Sequence, residues 1–240
     1  MDRKINVMGI EVDHISFQTL KRMTAEYLVN DTLNRYILVS TKLIEEALED
    51  PELVDSLKAV DYLLPGEDQV YGIVPGLLPG KGMVTGYHSL LELLGKMEKP
   101  HTVYLMAPNE GVIKKISRYC DRYFPKISIT GTYNQQEEWT DELILNAINS
   151  VNPDILVNTI PSPVEGKWVA TFGQQIDAKL YIGLGGIFDT MVSQLKDPPF
   201  LIRKLHMISL YHKLKGRGQY KLIKYRIFRR KVEQYNTKKR

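Results

Sequence analysis

The chain has 240 residues, of which 43% are hydrophobic, 25% charged and 9% aromatic. This composition is typical of a soluble globular protein and excludes disordered, collagen-like and coiled-coil proteins. The single cysteine, Cys120, cannot form an intramolecular disulfide, which favours a reducing, cytoplasmic compartment. The first residues lack the apolar run of a signal peptide, and no window has the length of apolar sequence that a membrane span needs. We therefore expect neither secretion by that route nor a segment that crosses the bilayer.

Net charge is distributed unevenly along the chain. Residues 201–240 carry a net charge of +13, whereas residues 1–200 carry −9, within a total of +4. A basic segment joined to an acidic body indicates a polyanionic partner, either nucleic acid or an anionic lipid surface. The sequence therefore predicts an α/β domain at 1–199 and a basic helical segment at 200–240.

Apolar periodicity in residues 1–199 alternates between strands and helices. A hairpin at 5–12 is followed by a helix that Ser16 caps. Short apolar strands are predicted at 36–39, 61–64, 102–106, 127–130, 155–157 and 180–182, with helices at 44–48, 109–123 and 140–151 and near Trp168. Parallel strands joined by helices bury both faces of a sheet economically, so we predict an α/β, Rossmann-like, mostly parallel sheet with flanking helices. Ligands of such sheets bind beyond the carboxyl ends of the strands.

A glycine-rich turn follows the last predicted strand. It reads Gly183-Leu184-Gly185-Gly186-Ile187-Phe188-Asp189 and opens a predicted helix. Backbone N–H groups at such a turn can approach a phosphate, so Gly185, Gly186 and Asp189 are candidate substrate-binding residues. The alternative is that the glycines only allow the helix to pack closely on the strand.

Polar residues also follow two other predicted strands. Glu67 and Asp68 come after the strand at 61–64, where a carboxylate in a partly dry cleft can act as a general base. Acidic residues at a helix start are, alternatively, what the helix dipole favours. Thr41 follows the strand at 36–39 and either binds a substrate hydroxyl or caps a helix.

Several other site types lack their signatures. The histidines have no paired ligand spacing, and neither GxxxxGK[ST] nor GxSxG occurs. The sequence therefore predicts no metal site and no cofactor.

The basic segment contains two candidate helices separated by Gly216-Arg217-Gly218. In the second helix an apolar stripe is flanked by cations, and the predicted membrane-binding residues are Lys221, Ile223, Lys224, Ile227, Arg229 and Arg230. Such a helix favours an anionic bilayer surface. A protein partner and a solvated face are the alternatives; no nucleic-acid partner is expected, because no nucleic-acid-binding signature occurs.

Four segments in a fixed order resemble a known family. They are Asn6-Val7-Met8-Gly9-Ile10, Val103-Tyr104-Leu105-Met106-Ala107, Ile129-Thr130-Gly131-Thr132 and the turn at 183–189. On these the chain resembles, over nearly its whole length, the WecB/TagA/CpsF family of bacterial glycosyltransferases. The resemblance implies metal-independent transfer of a sugar from a UDP-sugar to a polyprenyl-linked acceptor in cell-surface polysaccharide synthesis. It also implies a basic C-terminal appendage that places the protein at the inner face of the cell membrane.

The polar positions of the family pattern are changed in this chain. The family's usual Thr-Pro-Asn reads Thr41-Lys42-Leu43, and Met83 stands where an arginine is expected. The usual Pro-Asp-Gly, whose aspartate is the implied base, reads Pro65-Gly66-Glu67. We predict that Glu67 or Asp68 has taken over the role of base.

A further stretch of the family pattern, Pro-Lys-Gln-Glu-x-Trp, reads Pro163-Val164-Glu165-Gly166-Lys167-Trp168 here. The resemblance makes Glu165 and Lys167 candidate substrate-binding residues. Since so many polar positions differ, the alternative function is that of a catalytically inactive homologue that acts as a scaffold or partner of another glycosyltransferase.

Overall fold

The computed structural model describes residues 3–71, 82–187, 191, 228, 230–235 and 237. The strands in this part of the chain are β1 (Arg3–Val7), β2 (Ile10–His14), β3 (Asn34–Val39), β4 (Tyr62–Pro65), β5 (His101–Ala107), β6 (Ile127–Asn134), β7 (Ile155–Asn158) and β8 (Leu180–Gly183). The first two form an antiparallel hairpin. The other six form one sheet in the order β4-β3-β8-β7-β5-β6, in which every pairing is parallel. The predicted Rossmann-like α/β fold is confirmed.

The described residues up to position 187 form eight α-helices, and five of these begin at a side-chain cap. They are α1 (Phe17–Tyr27), α2 (Thr41–Glu49), α3 (Pro51–Lys58), α4 (Asp68–Tyr71), α5 (Tyr87–Gly95), α6 (Glu110–Tyr123), α7 (Asp141–Val151) and α8 (Val164–Phe172). Ser16, Ser40, Asp50, Asn109 and Thr140 each accept a backbone N–H from the first turn of the helix that follows. Each cap satisfies a donor that the helix itself leaves unpaired.

The sheet is buried on both faces, and the alternation of side chains along each strand divides the core in two. Along β3, for example, Ile37 and Val39 belong to one apolar cluster and Tyr36 and Leu38 to the other. Helices α2, α3, α7 and α8 supply the first cluster, and α1, α5 and α6 supply the second. Central strands such as β8, which are buried on both faces, read as uninterrupted apolar runs, whereas the edge strand β6 has exposed residues at Ser128, Thr130 and Thr132.

The last described residues pack against the body of the protein. Phe228 and Val232 are 2% and 5% exposed and belong to the first core cluster. The Lys231 ammonium lies 2.7 Å from a carboxylate oxygen of Glu45 on α2. The division at residue 199 stays a prediction, but residues on its far side contribute to the core of the α/β body.

Strand β6 differs from the prediction, and helices α3 and α5 were absent from it. Strand β6 extends to Asn134 instead of ending at residue 130, because its threonines and Gly131 dilute the apolar pattern. A Cβ on Gly131 would lie 2.5 Å from the Tyr104 ring, so this glycine is needed for packing between β5 and β6. Helix α3 was missed because it follows α2 at once, and α5 because its leucine-rich sequence has little polar face.

Candidate functional site

Three candidate segments follow strands that are neighbours in the sheet. Thr41 follows β3, Glu67 follows β4, and Gly185–Ile187, a short 3₁₀ turn, follows β8. Strand β3 lies between the other two. The carboxyl ends of parallel strands share one edge, so the segments lie along the edge where such folds bind ligands.

The Thr41 hydroxyl is not needed to cap helix α2, because Ser40 caps it. Ser40 Oγ accepts the backbone N–H of Leu43 at 3.0 Å, which satisfies the first turn of α2. Thr41 Oγ1 instead donates to Glu67 Oε2 at 3.3 Å. Of the two alternatives for Thr41, the structure therefore assigns the cap to Ser40 and brings Thr41 to the predicted base.

Glu67 is positioned by the tightly held glycine before it. The Gly66 N–H donates to the carbonyl of Val39 at 2.8 Å, and the Gly66 carbonyl accepts the N–H of Tyr87 at 3.3 Å. A Cβ at position 66 would overlap the side chain of Ile187, which is fully buried. Position 66 therefore has no room for a side chain, and the carboxylate nearest to this strand end comes from Glu67.

The two candidate bases lie in different environments. Glu67 is half-buried and bonded by Thr41. Asp68 is exposed and occupies the first turn of α4, where a negative charge favours the helix. A base works best where it is partly withdrawn from water and oriented, so the geometry favours Glu67.

The glycine-rich turn packs directly on a buried carboxyl group. A Cβ on Gly183 would overlap Glu165 Oε1, and one on Gly185 would lie 2.5 Å from Glu165 Oε2. The Leu184 N–H donates to the carbonyl of Asn158 at 2.9 Å, which ties the turn to β7. Close packing therefore accounts for two of the glycines, while phosphate binding by Gly185 and Gly186 stays a prediction. Asp189 lies outside the described residues.

The other two candidate ligands are engaged within the protein. Glu165 is 1% exposed, and burial raises its pKa well above the ordinary glutamate value. The Lys167 ammonium lies 2.8 Å from Asp50 and 2.6 Å from Glu52, so it joins α8 to the start of α3. Neither the burial of Glu165 nor the ion pairs of Lys167 test substrate binding, so both substrate-binding roles stay predictions.

The sequence indicates the segments that contain Ser40, Gly66 and Ile187 but not the part that these residues play in positioning the Thr41–Glu67 pair. It also gives no role to Tyr181, which interacts with Glu165, or to Ser162, which lies near Gly185. For Tyr181 a sequence signal was available: side chains alternate along β8, which places Tyr181 on the same face as Gly183. No sequence signal showed that Ile187 fills the space beside Gly66, since the contact joins residues more than 100 positions apart.

The described residues contain neither a metal-binding cluster nor a helix that could span a membrane. Within residues 3–71, 82–187 and the few described beyond them, no group of three or more His, Cys, Asp or Glu side chains could hold a metal ion. No helix in the same residues has the length and apolar character to cross a membrane. Of the predicted membrane-binding residues, Lys221, Ile223, Lys224, Ile227 and Arg229 lie outside the described part of the chain, and Arg230 is exposed on a helical stretch at 230–235.

Comparison with known proteins identifies the family. The chain is similar to proteins of Staphylococcus aureus that are named N-acetylglucosaminyldiphosphoundecaprenol N-acetyl-beta-D-mannosaminyltransferase. Those of strains NCTC 8325 / PS 47 and COL are each 21% identical over 226 residues, which cover 88% of this chain and 84% of the relative. That of strain MRSA252 is 22% identical with the same coverage. The sequence model of the glycosyl transferase WecG/TagA/CpsF family matches residues 5–220 and confirms the predicted enzyme class. The chain therefore belongs to the glycosyl transferase WecG/TagA/CpsF family.

Proposed function

We propose that this protein transfers a sugar from a UDP-sugar to a polyprenyl-diphosphate-linked acceptor in the synthesis of a bacterial cell-surface polysaccharide. The observation that carries the proposal is the hydrogen bond from Thr41 to Glu67 at the carboxyl ends of β3 and β4. The names of the Staphylococcus aureus relatives support an N-acetylglucosaminyl diphosphate polyprenol as acceptor and an N-acetylmannosaminyl group as the transferred sugar.

In the proposed step, an acceptor hydroxyl attacks the anomeric carbon of the donor sugar. A new C–O bond forms, the bond between that carbon and the diphosphate oxygen breaks, and UDP leaves with the electron pair. The acceptor proton passes to Glu67, which acts as general base. The Thr41 bond holds one carboxylate oxygen and so orients the group at the sheet edge.

The donor diphosphate is assigned to the turn at Gly185 and Gly186. This turn lies one strand away from Thr41 and two from Glu67, since the order at this end is β4-β3-β8. The last residue of the turn, Ile187, packs against Gly66, which directly precedes Glu67, so the turn and the base lie at adjoining positions of the sheet edge. Backbone N–H groups at such a turn are suited to an anion.

Two measurements on the purified full chain test the transferase. Calorimetric titration with UDP and a panel of UDP-sugars measures donor binding. Mass spectrometry of a mixture with N-acetylglucosaminyl diphosphate polyprenol and each donor detects the product, with and without a chelator. We expect UDP binding and one donor that yields product under both conditions. Absence of UDP binding at millimolar concentration together with absence of product would contradict the transferase and favour the scaffold.

We further propose that residues 200–240 bring the protein to an anionic membrane surface. The support is the +13 charge of residues 201–240 and the apolar stripe of its second predicted helix. Full-length protein is expected to sediment with vesicles that contain anionic lipid, to be released partly by salt, and to bind neutral vesicles poorly. The double variant Ile223→Ser/Ile227→Ser is expected to bind more weakly with an unchanged salt dependence, because it removes apolar area and no charge. Release of the protein from vesicles by duplex DNA, with tighter binding to that DNA at equal salt, would refute the membrane role.

A further inference from the structure

A group of buried polar side chains lies beneath the Gly183–Gly185 turn. Glu165 is 1% exposed, and its Oε1 has no hydrogen-bond partner among the described residues. Ser162 is 6% exposed, its Oγ is likewise without a partner in that part of the chain, and its Cβ lies 3.9 Å from where a Gly185 Cβ would be. Tyr181 is fully buried and shares a face of β8 with Gly183. Burial, with a smaller contribution from the Glu165 carboxyl, raises the pKa of Tyr181.

The groups around Glu165 offer no positive charge in the described residues. On β8, Tyr181 interacts with the Glu165 carboxyl. In the loop after β7, Ser162 lies near the same Gly185 position that Glu165 approaches, and on β3 the Ile37 side chain fills the space beside Gly183. On its own helix, Gly166 packs on Leu53 of α3, and the Lys167 ammonium is held by Asp50 and Glu52. A carboxylate buried without a cation is strongly unfavourable, and such a group keeps its proton instead.

We propose that Glu165 is a positioning residue that is held as a neutral carboxylic acid beneath the turn and keeps Gly183 and Gly185 in the conformation that receives the donor diphosphate. The carboxyl group occupies the space that side chains at both positions would need. Ionisation would draw water into this space and displace the turn. The positioning role rests on the proposed donor site, whereas the neutral carboxyl does not.

The turn itself reports the protonation of Glu165. In nuclear magnetic resonance spectra of the full chain, the amide signals of Gly183 and Gly185 are expected to shift together with pH, with one midpoint well above the ordinary glutamate pKa of 4.5. The shift is expected to vanish in Glu165→Gln, which keeps the shape but cannot ionise. It should persist in Glu67→Gln, which changes the other carboxylate. A midpoint near 4.5, or the same titration in Glu165→Gln, overturns the proposal.

Thermal stability provides an independent measure of the protonation of Glu165 if the amide signals of the two glycines overlap with others. The folded protein keeps the Glu165 proton to a higher pH than the unfolded chain does. The contribution of the neutral group is therefore complete below pH 4.5 and is lost as pH rises through the raised pKa. The melting temperature of the wild type is expected to fall relative to that of Glu165→Gln across this range. If the difference in melting temperature between the two proteins stays constant with pH, the proposal of a neutral Glu165 carboxyl is wrong.

UDP affinity tests the positioning role. If only the neutral form holds the turn, the dissociation constant for UDP, relative to that of Glu165→Gln, rises about tenfold for each pH unit above the midpoint. Glu165→Ala is expected to bind UDP more weakly at every pH, because the turn loses its support. A wild-type to Glu165→Gln ratio that stays constant while the glycines titrate overturns the positioning role. Failure of every protein to bind UDP overturns the donor site and the positioning role with it, and the glycine titration then decides the protonation of Glu165 alone.

Discussion

Two glutamates at the same edge of the sheet lie in opposite environments. Glu67 follows β4, is half-buried and receives a hydrogen bond from Thr41. Glu165 lies in the first turn of α8, which follows β7; it is fully buried and has one oxygen without a partner among the described residues. A carboxylate that is oriented and reachable can accept a proton, whereas one that is buried without a cation retains its own. Since both residues are glutamates, the different roles proposed for them, base for Glu67 and support for Glu165, rest on the surroundings of each carboxyl group.

The largest expected effect separates Glu67 from its neighbour Asp68. Glu67→Gln is expected to lower the turnover of the transfer reaction by about 10²–10⁴-fold, because the acceptor proton loses its base. UDP affinity and the melting temperature should change little, since the shape is retained. Asp68→Asn, at an exposed position, is the matched control and should keep most of the activity. Equal losses in the two variants would contradict the assignment of Glu67.

The second-largest expected effect is a loss of stability caused by steric overlap with the Glu165 carboxyl group. Gly183→Ala places a methyl group on the buried carboxyl and is expected to lower the free energy of unfolding by about 1–3 kcal/mol. Chemical denaturation measures this. In the double variant Gly183→Ala/Glu165→Ala the overlap with the carboxyl is gone and only the close approach to Ile37 is left, so the combined loss should be smaller than the sum of the single losses. Strict additivity would show that the two residues do not meet as the structure has them.

A smaller expected effect distinguishes the role of Thr41 from that of Ser40. Thr41→Val removes the donor to Glu67 and is expected to lower turnover about tenfold, the equivalent of about 1.4 kcal/mol, with little change in stability. Ser40→Ala removes the cap of α2 and is expected to cost about 1 kcal/mol of stability with a smaller effect on turnover. The pair is informative because the residues are adjacent and both carry hydroxyls. Reversal of the two effects would exchange their roles.

The fold was predictable from the sequence, and the site was predictable only in part. Buried parallel strands such as β3 and β7 are recognisable in the sequence as apolar runs, and capping residues such as Ser16 and Asn109 indicate where helices begin. The position of Thr41, Glu67 and the glycine turn at one edge followed from the topology alone. What the glycines pack against did not, because Glu165 beneath Gly183 is a contact between distant segments that no local pattern records.

The smallest expected effect concerns Lys167 and decides whether it belongs with either glutamate. Its ammonium is partly exposed and paired with Asp50 and Glu52, and solvent-screened ion pairs of this kind contribute little to stability. Lys167→Ala is therefore expected to lower the free energy of unfolding only slightly, and high salt should reduce the difference from the wild type. The sequence also predicts substrate binding by Lys167, and calorimetry with UDP tests it in the same variant. A fall in UDP affinity that persists where stability is unchanged would place Lys167 with the donor site. Unchanged affinity would restrict it to the contact between α3 and α8.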